Sequence, residues 1–585
     1  MLIFSVPSGS SVIASLELRQ AFGLTEVALY SCAMKKLFLV LAVLWSVATP
    51  GAQSTEELVH DGRNTDNVTT QSMGYHRRSN SPLKEINTNT VRRLVPVWNA
   101  SLMNDMGELA APTVYNGVIY AINGKWTFAI DVETGRQIWR TPVQLEPGAP
   151  RAATAITRGA ATIYNGKLFR VTIDNHVLAL DMATGKEIWN QKFADAKEGY
   201  YATSAPIVAN GVLISGMAGG ESTTRGFLDG WDPDTGKKLW RRYTIPAPGE
   251  PGSETWPKDS DAWKYGGGPT WRSGSYDPEL DLVYWGVGNA EPYDPRPREA
   301  MDSLYTSSVL AIRPKTGEIV CHFQYTPNDV YDVDGNDEQV LADIRVDGQP
   351  RKVMIQANKN GFMYVLDRTN CTLIAAHPYV KVNWASRIDP ASGRPVLTDV
   401  YKRFLEGEEV EIWPSRGTNA VPISFDPTTG LIYASTWNLP RIQKLGPPPP
   451  QTLGASSTGV TARLPQVKPG DVYGHLLAIN PLTGDKKWEI PLTEFPSSAG
   501  MLSTAGGLVF TGKLSGEFLA LDQATGKTLW QFKTGSAINS TAITYTYKGR
   551  QYVTVASGLG GGLANRYATE KVPTGGSLWT FALMR

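Results

Sequence analysis

Ala129-Ile-Asp-Val-Glu-Thr-Gly-Arg-Gln-Ile-Trp139 decides the architecture, because its pattern returns along the chain. Copies stand at 179–189, 230–240, 311–321, 478–488 and 520–530, and in the intact ones Gly and Trp are four residues apart. Two copies are degraded: Gly317 is followed by Cys321 where Trp belongs, and Val365-Leu-Asp-Arg-Thr-Asn has Cys371 in the Gly place. An abbreviated copy, Leu94-Val-Pro-Val-Trp98, precedes them all. An apolar strand ending at Asp, a Thr-Gly turn with its φ > 0 position and a second strand carrying Trp make one hairpin. A Trp repeated at one place can dock each sheet onto the next. Eight copies, mostly 40 to 55 residues apart, predict four strands per unit and an all-β, eight-bladed β-propeller with tryptophan-docking repeats. The spacing of 81 residues from Trp240 to Cys321 predicts a long insertion there. Pro440 to Asp471, with Pro447 to Pro450, reads as an extended surface loop.

Composition agrees. The 585 residues include 57 Gly, 39 Pro and 17 Trp, which suits short strands and tight turns rather than a helical bundle. A net charge of +1 without a basic block argues against nucleic-acid binding. Met34-Lys35-Lys36, the apolar run Leu37 to Val47 and the break near Pro50-Gly51-Ala52 form a secretory signal. The expected organisation is an upstream extension at 1–33, a signal peptide at 34–52 and a single propeller domain at 53–585. The apolar run is too short to span a bilayer, so no membrane span is expected. Cys32 precedes the signal, leaving Cys321 and Cys371, which are expected to be buried free thiols. No Cys-x-x-Cys-His occurs, so no c-type haem is attached within this sequence.

The chemistry lies in three stretches outside the repeat. They are Gly219-Gly220-Glu221-Ser-Thr-Thr-Arg-Gly226, Tyr284-Trp-Gly-Val-Gly-Asn289 and Thr326-Pro-Asn-Asp-Val-Tyr-Asp332-Val-Asp334-Gly335. Each puts an oxygen donor beside glycine or a turn. Loops from successive blades converging on the channel would bring carboxylates and an amide oxygen together for a hard cation. Taken singly, the residues have ordinary readings: Glu221 with Arg225 as a surface ion pair, Asp332, Asp334 and Asp337 as a solvated acidic loop.

Together, in this order, the stretches and the repeats resemble the pyrroloquinoline quinone (PQQ)-dependent alcohol dehydrogenases of bacterial periplasms, from about residue 60 to the C-terminus. The resemblance implies that Glu221 and Asn289 ligate a metal that also binds the quinone, and that Asp332, close to it, is the catalytic base. Asp334, two places on, resembles the lanthanide-dependent members. A third carboxylate suits a trivalent ion, so a lanthanide is expected, with Ca²⁺ as the alternative. Trp271 matches the residue on which the flat cofactor stacks, and Lys359 the basic residue near its quinone oxygens. Arg158 and Thr203 match contacts to cofactor carboxylates, Gly219 and Gly220 are implied as further cofactor-binding positions, and Asn419 falls on the cofactor side. Glu108 is carried over as a further contact, its spacing to Pro112 one residue off the pattern. The chain departs from the family where an adjacent Cys-Cys pair is replaced by Ala152 and Ala153, and where a Trp is replaced by Ala420.

The implied function is periplasmic oxidation of primary or secondary alcohols to aldehydes or ketones, with electrons passed to a soluble cytochrome c. The alternative is a non-catalytic propeller scaffold of the outer-membrane assembly type, which has no use for Glu221, Asn289, Asp332 and Trp271 together. The sequence leaves a monomer or a homodimer open.

Overall fold

The computed structural model describes residues 53–584 except 105–106, 148–156, 420, 451, 456–457, 469 and 561–571. The extension and signal, Ala152, Ala153 and Ala420 lie outside the described residues.

The repeat hairpin forms as its sequence dictates. In the first intact copy, strand Trp126–Asp131 pairs antiparallel with Gln137–Pro142, placing Ala129 opposite Trp139. Asp131 Oδ1 accepts hydrogen bonds from the Thr134 amide and hydroxyl, at 2.8 and 2.7 Å, which closes the turn, while Gly135 takes φ +69°. The same Asp–Thr pairing recurs at 181/184, 232/235 and 522/525.

Each Trp then latches its sheet to the next. Trp98 Nε1 donates to Val132 O at 2.8 Å, and its ring lies where a Cβ on Gly135 would come within 2.6 Å. Trp139 repeats this with Met182 O and Gly185, Trp189 with Pro233 O and Gly236, and Trp240 with Pro314 O and Gly317. Trp488 covers Gly526, and Trp530 donates to Leu94 O. The strand that carries Leu94, Leu94–Ser101, pairs with the last strand, Ser577–Leu583, so an early strand and the last share a sheet and the ring is closed. The chain is an all-β propeller.

The two degraded copies interlock. Cys321 holds a Trp position and Cys371 the Gly position of the following repeat, so the docking geometry brings their Cα atoms to 5.8 Å and the two form a disulfide. The expectation of free thiols is corrected: a covalent bond replaces the Trp-on-Gly contact at this seam. At the next seam His377 stands in for Trp, packed against Gly484 with Nε2 2.7 Å from Leu482 O.

Residues 65–81 run across the channel and touch the innermost strand of every four-stranded unit. Val68 exchanges hydrogen bonds with Val114, and the carbonyls of Thr65, Thr69, Tyr75, His76, Arg78 and Ser79 accept from Thr546, Ile163, Tyr276, Leu341, Phe425 and Ser503. The Tyr75 hydroxyl reaches Val208 O in the remaining one. The inner edges, which would otherwise present unpaired backbone, are thus fastened by one girdle.

Pro440 to Asp471 is not merely an extended loop. Strands Arg441–Leu445 and Val460–Arg463 join Val410–Ile412 in a small three-stranded sheet, inserted between the paired strands Leu431–Trp437 and Gly474–Ile479. Backbone pairing satisfies the insert's own polar groups, which a Pro-rich reading overlooks. The expected insertion before Cys321 is present, as irregular chain on both sides of strand Leu282–Val287. Among the described residues no helix is long and apolar enough to cross a membrane.

Candidate active site

The loops meet on the channel axis around a cavity of about 130 Å³. It is lined by Arg158, Thr203, Gly219, Gly220, Glu221, Trp271, Asn289, Asp332, Asp334, Lys359 and Asn419, which is every expected site residue except Glu108. Tyr201, Ala218, Pro269 and Arg416, not singled out in the sequence, complete the wall. Pro269 and Arg416 stand two and three residues from Trp271 and Asn419, so those motifs carried the signal.

The acidic loop is built from beneath by Asp329. Its buried carboxylate accepts from the Tyr331 and Val333 amides at 2.9 and 3.0 Å and from Ser307 Oγ at 2.8 Å. These bonds hold Asp332 and Asp334 in left-handed backbone, φ 56° and 52°, a conformation that short polar side chains tolerate. Asp334 is buried and Asp332 half-buried at the cavity, so they are not a freely solvated acidic surface. Asp334 Oδ1 accepts from the Asn289 amide at 2.9 Å and from the Trp271 indole at 3.4 Å. Lys359 Nζ lies 3.0 Å from both Asp334 Oδ2 and Asp332 Oδ1. Burial lowers the Lys359 pKa, but the two carboxylates outweigh it and the net shift is upward.

Glu221 comes from the neighbouring loop. Gly220 is required beside it, since a Cβ there would lie 2.6 Å from Asn289 Oδ1. Glu221 opens onto the cavity, and Arg225, its partner in the ordinary surface-pair reading, instead approaches Glu250 at 3.7 Å. Enclosure by protein, then the Asp332 and Asp334 charges, push the Glu221 pKa up to about 7. On the other wall the Arg158 guanidinium stands 4.7 Å over the Trp271 ring, and Thr203 Oγ1 donates to Trp271 O at 2.9 Å.

Glu108 sits elsewhere. It is buried against Asn104 and Asn123, whose amides donate to its Oε1 at 3.0 and 3.2 Å, and burial raises its pKa to about 8. Its sequence match carried it over as a cofactor contact; it is not among the residues lining this cavity.

The model of the PQQ-dependent glucose, ethanol and alcohol dehydrogenase β-propeller domain matches residues 72–383 and 410–553. This chain belongs to the PQQ-dependent alcohol dehydrogenase family. The quinohemoprotein alcohol dehydrogenase ADH IIB of Pseudomonas putida is 39% identical over 509 residues, spanning 83% of this chain and 72% of that protein. The lanthanide-dependent methanol dehydrogenase of Methylacidiphilum fumariolicum strain SolV is 35% identical over 539 residues, 87% of each chain. A europium-containing methanol dehydrogenase structure superposes with a TM-score of 0.85 at 33% identity, over 90% of this chain and all of that one.

The donor set fits the family's two groups in kind. Arg158, Lys359 and Arg416 offer cations to a tricarboxylic quinone, and Trp271 offers a flat face once the Arg158 guanidinium over its ring turns aside. Among the described residues Glu221 makes no ion pair, and burial with the Asp332 and Asp334 charges outweighs the more distant Lys359 in raising its pKa, which a cation placed between the carboxylates would relieve. Among the described residues no three His, Cys, Asp or Glu side chains are gathered closely enough to hold an ion unaided. The Lys359 ammonium lies between Asp332 and Asp334, so an ion held by those carboxylates requires the lysine to shift its contacts.

Proposed function

We propose that the cavity holds PQQ and one metal ion and that the protein oxidises primary or secondary alcohols. The observation that carries this reading is the convergence of Glu221, Asn289, Asp332, Asp334, Lys359 and Trp271 on one cavity from loops far apart in sequence. When bound, the quinone supplies the two-electron acceptor and the metal a Lewis acid. Asp332 takes the substrate hydroxyl proton, with Lys359 beside it as the neighbouring cation. Glu221 and Asn289 Oδ1, with Asp332 and Asp334, hold the ion. Arg158, Thr203, Gly219, Gly220 and Asn419 shape the quinone pocket, and Trp271 stacks beneath it. The abundance of carboxylates favours a lanthanide over Ca²⁺.

The same reading takes the propeller as eight-bladed, supported by seven four-stranded sheets and one five-stranded sheet among the described residues. It takes residues 53–585 as the exported, periplasmic domain, in keeping with a disulfide that persists in oxidising compartments. Electrons leave to a soluble cytochrome c. A scaffold would bear the cost of enclosed charges without using them.

The test is reconstitution of residues 53–585 with PQQ and La³⁺ or Ca²⁺, an alcohol panel and a dye acceptor. Dye reduction with lanthanum but not calcium supports the enzyme and the metal. Activity with calcium alone keeps the enzyme and removes the lanthanide. No turnover and no bound quinone removes the reading.

A further inference from the structure

A second cavity, of about 190 Å³, opens between the N-terminal turn Asp61–Arg63 and the girdle, and it shares no lining residue with the candidate active site. Turn and girdle touch at two glycines: a Cβ on Gly74 would lie 2.9 Å from Gly62 Cα. That close approach puts Arg63, from the turn, on the same wall as His76 and Arg78, from the girdle. The one carboxylate among the lining residues is Asp343, and it is already engaged. The buried Arg368 holds it, with Nη1 2.9 Å from Asp343 Oδ1 and Nε 2.7 Å from Asp277 Oδ2.

The two lining arginines have no such partners. Arg78 is anchored by Nε, which donates to Leu341 O at 2.8 Å. Among the described residues its Nη1 and Nη2, and the whole Arg63 guanidinium, make no hydrogen bond or ion pair. Arg78 is half-buried and stands within reach of other cations: burial lowers its pKa, Asp343 opposes this, and Arg368 and Arg63 add to it. Burial, then Arg78 and Arg368, push the His76 pKa down to about 4, so its ring is neutral and keeps one N–H to donate. Donors and positive charge thus collect on one wall, an arrangement that costs free energy until an anion meets it. We propose that this cavity is an oxyanion-binding site, taking a phosphate or a carboxylate between Arg63 and Arg78 with the His76 ring as a further donor. A guanidinium fork matches either group through paired, charge-assisted bonds. Val59, Met73 and Tyr75 complete the wall with apolar surface for a short organic tail. An anion bound there ties the N-terminal turn to the girdle, and so stabilises the folded ring.

The test is calorimetric titration of residues 53–585, without PQQ or metal, with inorganic phosphate and with succinate at fixed ionic strength. Wild type, Arg63→Gln, Arg78→Lys and Arg158→Gln are compared, the last because the active-site cavity also offers cations. One-site binding of at least one anion is expected, weakened about tenfold or more by Arg63→Gln and by Arg78→Lys and kept in Arg158→Gln. The same anion should raise the Tm of wild type and leave that of Arg63→Gln unmoved. Arg63 is exposed, so its replacement leaves the fold intact, and alcohol turnover after reconstitution should not change. Binding of phosphate alone assigns a phosphate ligand, and binding of succinate alone a carboxylate. Binding that Arg63→Gln leaves intact, binding that Arg158→Gln abolishes, or no binding of either anion overturns the proposal, and each leaves the dehydrogenase reading standing.

Discussion

Lys359 donates from Nζ to Asp334 Oδ2 at 3.0 Å, and Asp332 Oδ1 stands at the same distance from that nitrogen. In the proposed reading a bound cation would compete with this ammonium for the same oxygens, and the two aspartates have different roles. Asp332→Ala should lower turnover by about 10²-fold or more with any metal, as expected for loss of a positioned base. Asp334→Ala should mainly abolish activation by lanthanum, since it removes one anionic ligand. Dye reduction with La³⁺ and Ca²⁺ measures both, and full lanthanum activity in Asp334→Ala would refute the metal assignment.

The disulfide gives a stability prediction. Cys321–Cys371 closes a loop of 50 residues, and the chain-entropy estimate for that length is about 4 kcal/mol. Cys371→Ala, or reduction of the native chain, should lower the denaturation midpoint accordingly. A reduced protein that melts with the oxidised one would show that the seam is held by packing alone.

Glu108 predicts a pH dependence. Burial raises its folded pKa from the ordinary 4.5 to about 8, so the folded state binds a proton that the unfolded chain releases. That contribution is complete below about pH 4.5 and is lost as pH rises through about 8. Glu108→Gln, which keeps an oxygen for Asn104 and Asn123, should flatten this alkaline loss in urea titrations at pH 6 and 9. Equal slopes in both proteins would contradict it.

Two turn glycines separate backbone strain from latch packing. Gly526 and Gly430 have φ of 73° and 70°, but a Cβ on Gly526 would lie 2.8 Å from Trp488, whereas one on Gly430 meets nothing within 4 Å. Gly430→Ala should cost roughly 1 kcal/mol of left-handed strain. Gly526→Ala should cost clearly more, read as the difference in unfolding free energy. Equal costs would mean that the Trp contact yields freely.

The sequence made the latches legible because Asp, Thr, Gly and Trp recur at fixed offsets and each has a steric or hydrogen-bonding reason to be there. It made the cavity legible because glycine-flanked Glu221, Asn289 and Asp332 interrupt that pattern. What it hid was substitution in pairs. Cys321 and Cys371 each looked like a degraded repeat, and only their position across one seam joins them; His377 keeps the Trp contacts with a different ring. Arg441 and Tyr293 carry no motif and meet Asp332 and Glu221 only after folding. Glu108, carried over by a sequence match one residue off the pattern, stands outside the cavity lining.

The girdle at 65–81 changes how the ring must come together. Its partners extend to Thr546, near the far end of the chain, so a molecule emerging N-terminus first carries its fastener long before the last strands exist. Each sheet's inner edge is fastened by a segment that precedes it in the chain, and the last of these contacts joins residues far apart in sequence. Such non-local pairing makes assembly slow and all-or-none. The Val114, Leu341, Phe425 and Ser503 amides should therefore exchange with solvent in a single cooperative opening.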